Sequence, residues 1–289
     1  MDGTPNSYTI TGNLCIWKAG CMAEKKGSEW FDTYARRRGE LVFHDCSIWL
    51  GEPADFPLAK SFSFEEMQAY MGSHHVAGGL ISHWAGLTLS PQRGNEALLL
   101  LAESAAENWR MVFTGLPLFP SDAGPLPGQA KPNHALAGVR LFPKSHGYVL
   151  TQWVVGSLLD WLEKHALPLF LWHTEIEWTE LYSLAKQHPK LSIIVETQRE
   201  KILYHMRTLY PLMRDCANVC VETSNLTGQG YLEYTVREFS AERVLYGSFF
   251  PVNDPAVSMG MLLDADIEQG ERGLISSGNL LRMLHGVRP

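Results

Sequence analysis

Asp45-Cys46-Ser47-Ile48-Trp49-Leu50-Gly51 follows apolar Leu41, Val42 and Phe43, and Gly51-Glu52-Pro53 breaks it. This pattern predicts a buried strand running out into a loop. Seven more apolar runs follow: Val76–Ser82, Trp109–Thr114, Ala137–Phe142, Leu167–Trp172, Leu191–Val195, Asn218–Val221 and Arg243–Gly247. Their starts are spaced about every 24 to 35 residues, the repeat of a βα unit. Being continuous rather than alternating, they suit strands buried on both faces. Eight such units predict an α/β protein with a closed (β/α)8 TIM barrel. A doubly wound sheet is the alternative, but no Gly-x-Gly-x-x-Gly turn or P-loop supports it.

Helical patterns fall between the runs. Ser63 and Glu66 have the spacing of a capping box. Asn95–Glu107 is rich in Ala, Leu and Glu. Leu150, Trp153, Val154, Leu158, Trp161 and Leu162 lie on one helical face. Trp178–Gln187 stops before Pro189, and a last helix is expected over Gly273–Leu284. Gly115–Pro132 is rich in Pro and Gly and predicts a long loop. Residues 1–39 lack a period and are expected to pack on the barrel as an arm through Trp30, Phe31 and Tyr34, leaving 40–289 as a single barrel domain.

The 289 residues are 45% hydrophobic and 19% charged, enough for a large core. A net charge of -7 with no basic stripe argues against nucleic acid as a partner. The start lacks a signal-peptide pattern and no apolar run reaches spanning length, so no membrane association is expected and a cytoplasmic location is. Five scattered cysteines (Cys15, Cys21, Cys46, Cys216, Cys220) read as reduced thiols; Cys216 and Cys220 lack the second pair that a zinc site needs. The expected partner is a small molecule, and homo-oligomerisation stays open.

In a barrel of this kind, chemistry sits at the strand C-termini. The sequence delivers Ser47, Trp49, His83, Arg140, His146, His173, Glu175, Glu196, Thr197, Glu222, Ser224, Phe249, Asn253 and Asp254 there. His74 and His75, before the second run, fall at the opposite end and are expected on the surface.

Three segments carry a resemblance. Asp45-x-Ser47-x-Trp49-Leu50-Gly51 resembles the first strand of the amidohydrolase-related family, Asp-x-His-x-His-Leu/Ile-Gly. Arg243 to Pro251 is similar to its eighth strand, and Gly278-Asn279-Leu280-Leu281-Arg282-Met283-Leu284 to its closing helix. The likeness runs from about Val42 to Gly286 and implies a metal-dependent-hydrolase-like barrel. It also implies where metal ligands would stand, and there this sequence departs. Ser47 and Trp49 replace the paired histidines, Phe249 replaces the eighth-strand aspartate, and the sixth-strand histidine maps near Thr197. His173 alone stands where a ligand is implied, and one ligand does not make a zinc site.

The expected activity is therefore that of an amidohydrolase-related hydrolase, metal-independent and without a cofactor, acting on a small carboxylated lactone, ester or amide. His173 or His83 would serve as acid or base, with Glu196 or Glu222 orienting it. Arg140 would clamp the carboxylate or pair with Glu196 or Glu222, and His146, Trp49, Ser47, Phe249 and Asn253 would line the substrate site. Two alternatives stand beside this. One is an inactive barrel that binds a metabolite or a protein. The other is a decarboxylase or hydrolase with a relocated zinc held by His173, His83 and Glu196 or Glu222.

Overall fold

The computed structural model describes residues 29–117 and 136–287, apart from 30, 54 and 201. The chain divides into a first unit, Met1–Glu40, and a second, Leu41–Pro289. In the first, residues 31–39 are helical and the Glu40 N–H donates to the Arg36 carbonyl at 3.1 Å. The rest of the expected arm, and nearly all of the Gly115–Pro132 loop, lie outside the described residues.

The second unit is a (β/α)8 barrel. Its strands are β1 (Phe43–Leu50), β2 (Val76–His83), β3 (Trp109–Thr114), β4 (Leu136–Leu141), β5 (Leu169–Trp172), β6 (Ile193–Glu196), β7 (Val219–Glu222) and β8 (Val244–Leu245). They lie side by side in chain order, every pair parallel. Each of the eight apolar runs is thus a strand.

The opening stretch closes the barrel. Asp45 faces Gly79 and Ile48 faces Ile81, so β1 carries one residue more than β2 between them, a bulge. Asp45 Oδ1 accepts the Ser47 N–H at 2.8 Å inside that bulge and the Ser248 N–H at 3.1 Å across the seam. Beside it, the Cys46 N–H donates to the Tyr246 carbonyl (3.0 Å) and the Trp49 N–H to the Phe250 carbonyl (2.8 Å). These bonds join the residues that follow the short β8 to β1.

The barrel interior is layered. At the floor, Cys46, Leu80, Val112, Ala137, Phe170, Ile194 and Leu245 form one apolar cluster with Leu280 of the last helix. Above it lies a polar layer built on Ser47, Ser82, Arg140, Glu196 and Glu222. At the mouth, Trp49, Trp84, Phe142, Trp172 and Phe249 form a second apolar cluster, each 0–3% exposed.

Around this core the capping box forms as expected: Ser63 and Glu66 satisfy each other's backbone N–H at the start of helix Phe64–Ser73. The helix expected at Asn95–Glu107 instead spans Pro91–Ala102, because Ser90 caps it and Pro91 takes its first turn. Helix Gln152–His165 buries Val155, Leu158, Leu159 and Leu162, while Trp153 is 82% exposed. The apolar face is therefore rotated from the expected one. Cys46, Cys216 and Cys220 are free thiols. No helix among the described residues is long and apolar enough to cross a membrane.

Candidate functional site

The polar layer is a closed set of side chains. Arg140 Nε donates to Glu196 Oε2 at 2.7 Å and Nη2 donates to Oε1 at 2.5 Å, a two-pronged ion pair with both partners buried. The third guanidinium nitrogen, Nη1, donates to the Ser82 hydroxyl. Gln198 Nε2 bridges Glu196 Oε1 (3.1 Å) and the Ser47 hydroxyl. The Arg140 guanidinium also lies 4.5 Å from the Trp49 ring and 5.4 Å from the Phe170 ring, so it is packed against aromatics of the layers on both sides.

Glu222 is held separately. It accepts from the Thr197 N–H and hydroxyl and from the Ser224 N–H and hydroxyl. The position beside it must be glycine, since a Cβ on Gly247 would lie 2.6 Å from Glu222 Oε2. Burial pushes the Glu222 carboxyl up to about 7, with the Glu196 charge adding to it and the Ser224 and Thr197 bonds opposing. Burial likewise raises Glu196, against the pull of Arg140, and raises Asp45 to about 6.

Above this layer the mouth is aromatic. Trp49 lies 4.5 Å from Trp84 and 5.3 Å from Trp172, ring centre to ring centre, and Phe142 and Phe249 sit against Trp172 at 5.1 and 5.9 Å. The indole N–H groups of Trp49, Trp84 and Trp172 are all buried and have no acceptor among the described residues. Gln198 Oε1 and His173 Nε2 are likewise buried without partners among the described residues.

The residues expected to act together are dispersed. Ser47, Trp49, Arg140, Glu196 and Phe249 do face the interior. His173 lies on the other side of its strand from the inward Trp172. Its Nδ1 meets the Glu196 carbonyl at 3.2 Å and its ring packs on His205 at 5.2 Å. Burial lowers it to about 4. His83 Nδ1 accepts the Ala85 N–H at 3.2 Å, capping the turn after β2, and its ring fills the space beside Gly51. His146 stands at the rim beside Phe142, at 5.6 Å, lowered by burial. Glu175 pins that rim by accepting the Ser145 N–H (2.8 Å) and hydroxyl (2.7 Å). Asn253 lines a cleft outside the mouth. His74 is not a free surface residue: it stacks on Tyr70 at 4.7 Å and its Nε2 is 3.6 Å from Asp254.

The donor set does not suit a relocated metal. Glu196 is engaged with Arg140, Glu222 with Thr197 and Ser224, and His83 and His173 face away from both. No three of the described His, Cys, Asp and Glu residues converge to hold an ion. Phe142, Gln198 and the loop residues Asp55, Phe56 and Arg199 belong to the site and were not singled out from the sequence. Gln198 had a signal, the inward parity two residues beyond Glu196; the loop residues had none.

A family model described as Amidohydrolase matches residues 94–285. No curated protein matches the sequence. Among solved structures, 5-carboxyvanillate decarboxylase LigW from Sphingomonas paucimobilis superposes with a TM-score of 0.65 at 12% identity, covering 85% of this chain and 99% of that one. Amidohydrolase 2 from Bifidobacterium longum subsp. infantis gives 0.63 at 18% identity, with the same coverages. A dihydroxybenzoic acid decarboxylase from Polaromonas sp. JS666, solved with manganese and an inhibitor, gives 0.59 at 14% identity, covering 85% and 97%. At such identities the likeness speaks for the fold. The family match, spanning more than half of the chain and lying on this barrel, decides the rest: the chain belongs to the amidohydrolase family.

Proposed function

We propose that this amidohydrolase-family member binds a small, oxygen-rich molecule at the barrel mouth and does not turn it over. One observation carries the reading: three indole N–H donors, on Trp49, Trp84 and Trp172, are buried in one layer without acceptors among the described residues. Native proteins leave few such groups unpaired, because each costs about 1–3 kcal/mol. A ligand with a flat apolar body and acceptor oxygens would meet both the ring faces and the donors. Carboxylated aromatics combine these features. The neighbours named as decarboxylases of 5-carboxyvanillate and dihydroxybenzoic acid make such acids the first to try.

The absence of turnover follows from the layer beneath. Arg140 and Glu196 satisfy each other, Glu222 is fully engaged, and the aromatic layer lies between them and the mouth. The carboxylates of that layer are thus occupied and screened from a molecule held against the aromatic rings. A general acid or base has to reach the proton it moves.

The test is a titration with 2,6-dihydroxybenzoate, 5-carboxyvanillate and simple aryl lactones, esters and amides, with and without manganese or zinc. Tryptophan fluorescence and product are followed together. The expected result is saturable quenching with no product, weakened at least about tenfold in Trp172→Phe, which removes one donor but keeps an aromatic ring. Product formation, or no quenching by any compound, overturns the reading. Metal-independent hydrolysis has one observation of its own, the Glu222 carboxyl held up to about 7, in the range of a general acid or base. Turnover that falls about a hundredfold or more in Glu222→Gln would put it first.

A further inference from the structure

The loop after β1 lies over the mouth without belonging to the barrel wall. Within it the Phe56 N–H donates to the Pro53 carbonyl and the Ala59 N–H to the Phe56 carbonyl, both at 2.8 Å. The Ser61 hydroxyl donates to the Gly51 carbonyl at 3.3 Å, so the two ends of the loop are held together, as in an Ω-loop. The chain enters it through Gly51 at φ +86°, a conformation that glycine adopts without strain.

Two contacts hold this loop down. The Phe56 ring rests on Trp84 at 5.6 Å and on Phe249 at 5.5 Å, reaching into the aromatic layer. Asp55 pairs at 2.8 Å with Arg199, which arrives from the loop after β6, and the Arg199 guanidinium lies 5.6 Å from the Trp172 ring. Both charged side chains are partly exposed, and Leu58 beside them is fully exposed. On its flank, residues 55–60 and Phe62 border a cleft of about 490 Å³, whose far wall is Tyr70 and residues 250–254. The loop therefore has solvent above it and open space beside it.

We propose that residues 55–62 are a gate on the mouth, with Phe56 occupying the apolar part of the ligand position and the Asp55–Arg199 pair as its latch. This deepens the reading of the mouth as a ligand site and rests on it. Access to Trp84 requires the Phe56 ring to leave and access to Trp172 requires Arg199 to swing aside, and the loop can carry Phe56 away as a unit while the barrel stays folded. The incoming molecule must then replace that ring, which favours a ligand with an aromatic ring of its own.

Hydrogen exchange tests the gate without a ligand. In the full-length protein labelled uniformly with ¹⁵N, the indole N–H groups of Trp84 and Trp172 exchange when the gate opens. Asp55→Asn is expected to speed them about two- to fivefold, the worth of a partly exposed ion pair, and Arg199→Gln to do the same. Phe56→Ala is expected to speed them more than about tenfold. The backbone amides of Val112 and Ile194, in the floor layer, serve as the internal control and should hold their rates. Unchanged indole rates in all three variants overturn the gate. So does a rise that the floor amides share, since that is exposure by global unfolding. Faster indole exchange without binding of any acid leaves the gate standing and removes the ligand reading. Binding of an acid with unchanged exchange does the reverse.

Discussion

One step along β5 separates Trp172, which faces the mouth, from His173, which faces His205. The two residues are adjacent in sequence and a family pattern singles out the histidine, yet the side-chain alternation of a strand gives the interior to the tryptophan. The position was legible; the direction was not, because a four-residue apolar strand carries no alternation to fix its parity. His173 has a measurable consequence nonetheless. Burial holds it near 4, while the unfolded chain titrates near 6.5. Between those values the unfolded chain takes up a proton that the folded chain refuses. Stability is thus complete above pH 6.5 and falls as pH drops through the window. By pH 5 the loss is about 2 kcal/mol. Asp45 and Glu222, raised by burial, act in the opposite sense, so the informative quantity is a difference. His173→Gln should lose less urea resistance than the wild type between pH 7 and pH 5, and equal losses would show that His173 does not titrate this way. The Arg140–Glu196 pair offers a second residue-scale test. Glu196→Gln strands a buried guanidinium and should cost about 3–5 kcal/mol, whereas Arg140→Met with Glu196→Leu should cost less than either single change, as read from urea midpoints.

Elements were legible where local chemistry alone decides them. The Ser63–Glu66 box starts its helix where the spacing said it would. Replacing Ser63 by Ala should lower stability by about 1 kcal/mol, and Glu66→Ala in the same background should add little, because each residue caps the other. A thermal melt of the two single variants and the double variant would show whether the losses add. Where tertiary context decides, reading the sequence fails in identifiable ways. The Ala- and Leu-rich run at 95–107 suggested a helix over that span, but Ser90 and Pro91 set its start. Met206–Asp215 holds Pro211 within a helix, and such a proline argues against the element when read alone. The bulge in β1 had no sequence signature either. It comes from Asp45, whose carboxylate serves both the bulge and the seam with Ser248, and this structural duty accounts for the aspartate of the opening motif.

At the scale of the molecule, the barrel keeps its stability at one end and its candidate chemistry at the other. The last helix, Asn279–Gly286, sits under the floor: Leu280 is part of the floor cluster, with Met283 and Leu284 packed against it. Asn279 Nδ2 donates to the carbonyls of Ala241 and Val244, both at 2.7 Å, which ties the helix to the start of β8. This is why the closing motif of the sequence was as informative about fold as the opening one, while neither revealed the loop that covers the mouth. Replacing Asn279 by Ala leaves two buried carbonyls without that donor and should cost about 2–3 kcal/mol in the urea midpoint. The mouth, a barrel length away, should not register the change: at temperatures where the variant is folded, the acid concentration that half-quenches tryptophan fluorescence should match the wild type. A matched shift in both measurements would mean that floor and mouth are coupled, and that the β8 seam through Asp45 and Ser248 carries the coupling from one end of the barrel to the other.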